Sequence, residues 1–147
     1  MPLAIAGCAS TGSKFTELEK AENGKSIIYV MRAWRLHRGA ATLDILINDK
    51  KVGKLANGGY LPVQVEPGSG TVTISASNLA KFIGWHHDPL SIEYVVAENE
   101  TKFIMLDAVT NYIIPLGDFY VAGVDIDLFE LNEKDAMKAL PKLSLSN

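Results

Sequence analysis

Cysteine is nearly absent from this chain. Cys8 is the only one among 147 residues, which excludes an internal disulfide framework and any zinc site built on several thiolates. Long apolar runs are missing too, since no stretch approaches the ~18 uninterrupted apolar residues of a membrane-spanning helix. Basic residues are outnumbered: 14 Lys and Arg stand against 17 Asp and Glu, a net charge of −3. That balance argues against nucleic acid as a partner, because neutralising phosphates needs a clustered surplus of Lys and Arg. No phosphate-binding GxxxxGK[ST] loop and no GxSxG nucleophile elbow occurs. With 48% hydrophobic residues, one domain that folds on its own core, without metal or disulfide, is expected. No cofactor is called for, and the chain reads as a non-enzyme.

Charge is unevenly spread. Residues 1–54 carry nine basic and five acidic side chains, and residues 98–147 carry four basic and nine acidic. Either the fold has a polar axis or the two segments interleave.

At the amino end, Ile5-Ala6-Gly7-Cys8 has the spacing of a bacterial lipobox: an apolar residue, two small residues and the cysteine whose sulfur takes the lipid. Ile5 is less usual than Leu in the first position. Small residues suit a peptidase that binds the segment extended, close to its backbone. A full signal peptide also has a basic n-region and an apolar h-region of about 7–15 residues. Residues 1–8 therefore read as part of a signal peptide that ends at the lipidated, palmitate-bearing Cys8. Residues 9–23 follow as a polar tether with a short helical turn around 15–22, and residues 24–147 form the domain. Ala9, rather than Asp, after the cysteine points to an outer-membrane lipoprotein facing the periplasm. The competing reading is a small cysteine at a frayed terminus, where it would be a free thiol.

From residue 26 the pattern is β. Ser26 to Ala33 is almost continuously apolar, as in a central strand covered on both faces. Leu43, Ile45 and Ile47 alternate with Thr42, Asp44 and Leu46 up to the turn Asn48-Asp49-Lys50-Lys51, and Val52 to Leu55 returns as the hairpin partner. Asn57-Gly58-Gly59 and Pro67-Gly68-Ser69-Gly70 are further turns, around strands at 60–66 and 71–76. After an irregular stretch, Ser77 to Pro89, strands resume at 90–97 and 101–109, with a short one near 111–116 ending at Pro115. A last long strand runs over 119–130, with a bulge or strand end where Phe129 and Leu131 fall on the opposite parity to Leu128. Asn132 caps a short helix over 133–140 that Pro141 stops. The reading is all-β: an antiparallel β-sandwich of immunoglobulin or transthyretin type, with about 7–9 strands and a short C-terminal helix. A barrel uses the same alternation and remains the alternative.

The ordered set Gly24-Lys25-Ser26-Ile27-Ile28-Tyr29-Val30, Ile47-Asn48-Asp49 with Val52-Gly53-Lys54-Leu55, Asn57-Gly58-Gly59-Tyr60 and Val65-Glu66-Pro67-Gly68 resembles a family of predicted bacterial lipoproteins carrying a domain of unknown function. The resemblance spans about residues 24–76, and Asp49 stands where such proteins often have Gly. It implies an envelope-anchored β-sandwich and supplies no catalytic residues.

Two clusters carry candidate chemistry. Arg32, Arg35 and Arg38 are all the arginines of the chain, and with Trp34 between them they can meet carboxylate, phosphate or a glycan. The plainer expectation is a solvated loop with one arginine paired to an acid such as Asp44. Trp85-His86-His87-Asp88 offers two imidazoles and a carboxylate, but neighbours on an extended chain point apart, which favours a polar loop tip with Trp85 as packing anchor. Asp125 and Asp127 share a strand face and read as its wet side rather than a catalytic pair. The leading expectation is thus a lipid-anchored envelope protein that binds an envelope protein or glycan through Arg32, Trp34, Arg35, Arg38 and Trp85. A periplasmic metal or ligand binder using His86, His87 and Asp88 is the alternative.

Overall fold

The computed structural model describes residues 12–34, 42–77 and 88–146, with the backbone alone for 108–112 and 119–125. Nine strands among them form two sheets. One has the order β8-β7-β1-β4-β9 and the other β3-β2-β5-β6. In chain order the strands are β1 (Ser26–Arg32), β2 (Leu43–Ile47), β3 (Lys50–Leu55), β4 (Gly59–Val65), β5 (Gly68–Ala76), β6 (Leu90–Val96), β7 (Thr101–Leu116), β8 (Phe119–Leu131) and β9 (Ser144–Leu145). The two sheets are separate and face each other, so the architecture is a sandwich and not a closed barrel. Pairing is antiparallel except at β1 with β7 and β4 with β9, which run parallel.

The unbroken apolar run of β1 has the predicted meaning. Ile28 and Val30 point into the space between the sheets, beside Ile45, Leu55, Val63, Val72, Ile74, Ile104 and Leu106. Ile27, Tyr29 and Met31 point the other way into a second core with Phe15, Tyr60, Phe103, Met105, Ala136, Leu140 and Leu143. A strand buried on both faces has no wet side to alternate with. The same geometry explains the parity change in β8. Leu128 belongs to the inter-sheet core, whereas Phe129 and Leu131 pack against the second core. The register shift of this strand pair lies elsewhere, between Thr110 and Tyr112.

The layer over the second core is built from both ends of the chain. Asn132 caps α1 (Glu133–Ala139), its side chain accepting from the Asp135 amide at 2.8 Å. A 3-10 turn over Leu140–Lys142 follows, with Pro141 inside it, and then β9. Residues 12–25, where a helical turn was expected, contain no helix. They cross the sheet as an extended strap: Lys14 bridges to Ser144, and the Glu19 amide donates to the Tyr29 hydroxyl at 2.7 Å. Phe15 is buried edge-on against Tyr29 and Tyr60.

The separate strands expected at 101–109 and 111–116 are one strand, and Pro115 lies within it, opposite Tyr120. The basic and acidic segments interleave, since β1 and β7 are neighbours.

Candidate functional site

Three segments meet where β1 ends. The first is β1 itself with Ala33 and Trp34. The second is the crossover from β3 in one sheet to β4 in the other, reversed at Ala56, whose carbonyl accepts from the Gly59 amide at 3.0 Å. The third is the C-terminal strand, which latches that crossover. The Ser144 amide donates to the Gly58 carbonyl at 3.0 Å, the Ser146 amide to the Tyr60 carbonyl at 2.9 Å, and the Ala56 amide to Ser146 Oγ at 3.1 Å. Asn57 is buried in the turn. The Leu145 amide donates to the Ser13 carbonyl at 2.9 Å, so the amino-terminal strap is tied to the same latch.

Trp34 is the large exposed apolar side chain described at this rim, 56% accessible, and its ring lies on the crossover. Gly58 has φ +66, and a Cβ there would come within 3.0 Å of the indole Cδ1. The left-handed backbone favours glycine at 58, and a side chain there would have to displace the indole. Gly12 is equally confined, for a Cβ on it would run into the carbonyl of Leu145.

Arg32 turns inward. It is buried, and its Nη1 donates to the Leu55 carbonyl at 3.2 Å. Burial lowers its pKa to about 10, so it stays cationic at neutral pH. Its role is to tie the end of β1 to the end of β3, and the fork expected to reach out toward a partner is not presented there. Asp44, a suggested arginine partner, lies 3.0 Å from Lys51 Nζ.

Arg35, Arg38, Trp85, His86 and His87 lie outside the described residues, as does Cys8. Asp88 is exposed. No group of three or more metal-ligating side chains occurs among the described residues. Asp127 Oδ1 accepts from the Leu128 amide at 2.8 Å, and the side chain is exposed. Among the described residues no helix is long and apolar enough to cross a membrane.

The model of the family described as protein of unknown function DUF2846 matches residues 22–118. The chain belongs to that family. No curated protein and no solved structure matches it. The part matched to DUF2846 contains Arg32, Trp34 and the whole Leu55 to Tyr60 crossover, whereas the latch at Ser144 to Ser146 and the strap at Gly12 to Lys14 lie beyond it. Sequence reasoning read Asn57-Gly58-Gly59 only as a turn. That it forms the floor under Trp34 is a contact between residues 24 positions apart, which local pattern does not contain.

Proposed function

We propose that this DUF2846 protein is a lipid-anchored, non-enzymatic binding module of a bacterial cell envelope. Cys8 carries the lipid, and Trp34 presents the contact for an envelope protein or glycan. The observation that carries the reading is the tie between Ser13 and Leu145, which brings the strap to the rim where Trp34 is exposed. From Cys8 to Gly12 is four residues, a reach of at most about 14 Å for an extended chain. An anchor at Cys8 would hold the rim near the membrane surface rather than let the domain swing on a long tether. Lipid chains contribute roughly 0.8 kcal/mol per buried methylene, so a multiply acylated cysteine keeps the domain on the membrane. A planar, exposed indole on a rigid floor is a contact of low entropic cost for an apolar or sugar surface. Ala9 favours the outer membrane.

Photo-crosslinking from position 34 in intact cells tests the binding half. A discrete adduct that disappears in the Cys8→Ser protein, which is released from the membrane, supports the reading. A crosslink pattern identical to that of an exposed position on β3, such as Lys50, contradicts it.

A further inference from the structure

The strap stands apart from the sandwich it crosses. None of its residues belongs to the core between the sheets. Phe15 is the one buried residue over 12–25, with ring centroids 5.8 Å from Tyr60 and 6.5 Å from Tyr29, and Leu18 and Ala21 are only partly buried beside it. Backbone pairing is confined to the rim end, at the Lys14 bridge to Ser144 and the Ser13 carbonyl that accepts from Leu145. Further along, the partners are side chains. The Glu19 amide donates to the Tyr29 hydroxyl, the Glu22 amide to Gln64 Oε1 at 3.1 Å, and Gln64 Nε2 to the Lys20 carbonyl at 3.4 Å. No ladder between the long strands has to break for these to part.

The strap also ends in a hinge. The Lys25 amide donates to the Glu22 carbonyl at 2.9 Å, Gly24 has φ +78, and a Cβ on Gly24 would meet nothing within 4 Å. Glycine in open surroundings absorbs a change of backbone angles at little cost. Just past it the chain is fixed, since the Lys25 carbonyl accepts from the Asn99 amide at 2.9 Å and the Ile27 amide donates to the Glu100 carbonyl at 3.0 Å. The residues matched to the family begin at this same turn, at 22.

We propose that the strap is a detachable length of the tether: Phe15 leaves its place beside Tyr29 and Tyr60, the strap swings out about Gly24, and the sandwich stays folded. The use of this device rests on the lipid proposed at Cys8, but the opening itself does not. Docked, four residues separate Cys8 from Gly12, a reach of at most about 14 Å; released, sixteen separate Cys8 from Gly24, a reach of at most about 55 Å. A partner within the shorter reach meets Trp34 with the strap in place. A partner beyond it is met only when its binding offsets the burial of Phe15, so distant binding and strap docking compete.

Two measurements test this. In native-state hydrogen exchange of the Cys8→Ser chain, the Glu19, Glu22 and Leu145 amides are expected to open more readily, and with a smaller denaturant dependence, than the amides of β1. Exchange of both sets in step overturns the proposal, and this comparison needs no core variant. Phe15→Ala is expected to abolish protection at those three amides and to leave β1 protected. The second measurement couples the chain through Cys8 to a maleimide lipid in a supported phosphatidylcholine bilayer, which does not depend on lipidation in cells, and reads the protein layer by neutron reflectometry. The parent is expected to lie against the headgroups, and Phe15→Ala, shown to be folded by circular dichroism, to spread outward by up to about 40 Å, the difference between the two reaches. Coincident profiles for the two proteins overturn the proposal.

Discussion

The indole of Trp34 rests on Gly58, a position with φ +66 where an added Cβ would lie 3.0 Å from Cδ1. This contact joins the end of β1 to the crossover between the sheets, on a rim where the aromatic ring of Trp34 is exposed.

Gly58→Ala is expected to lower stability by about 1–3 kcal/mol, from the left-handed backbone cost together with the displaced ring. In the Trp34→Ala background the cost of Gly58→Ala falls, because only the backbone part remains. Urea unfolding of the four proteins in a double-mutant cycle checks this. Equal costs in the two backgrounds would mean that the ring does not rest on the turn.

Asp49 has φ +66 and Asn48 φ +49 in the turn joining β2 to β3. Glycine adopts this geometry more readily than aspartate, so Asp49→Gly is predicted to stabilise the domain by about 0.5–1 kcal/mol. A rise in the thermal midpoint verifies it.

Much of the sandwich was legible before the fold was seen. β1 announced itself through seven residues with no polar alternation, and the β2 and β3 hairpin through Asn48-Asp49. The parallel pairing of β1 with β7 was not legible, because alternation within a strand carries no information about its neighbour. β9 is two residues long, too short for any periodicity, yet it latches the rim. Phe15 looked like part of a polar stretch, since one aromatic among charged residues does not reveal that a cavity beside Tyr29 and Tyr60 awaits it. Pro115 misled because proline is tolerated in a strand that has an open edge. At the candidate contact Trp34 is exposed, whereas Arg32 is turned inward to the Leu55 carbonyl, a long-range partner that local pattern does not contain.

Phe15→Ala should cost about 3–5 kcal/mol, the range for a buried aromatic truncated to alanine. Chemical denaturation measures the loss, and a value below 1 kcal/mol would mean that the strap does not close the second core.

Burial raises the Tyr29 hydroxyl above its ordinary pKa of 10.0, against the opposing effect of the Glu19 amide that donates to it, and burial raises Tyr60 as well. The folded state therefore keeps these protons more tightly than the unfolded chain. The stabilisation is complete below pH 10.0 and is lost as pH climbs through the folded values. Tyr29→Phe should flatten this alkaline decline. At neutral pH it should cost about 0.5–1.5 kcal/mol, because the Glu19 amide loses its acceptor. Denaturation midpoints followed across the alkaline range check both signs.

The central claim is that this domain is held to a membrane by lipid on Cys8. It is tested most directly by metabolic labelling with a fatty-acid analogue, comparing the protein expressed behind a complete signal sequence with its Cys8→Ser variant. The account predicts label and membrane fractionation for the parent, and neither for the variant. Equal absence of label from both, with the parent in the soluble fraction, would contradict it and make Cys8 an ordinary thiol.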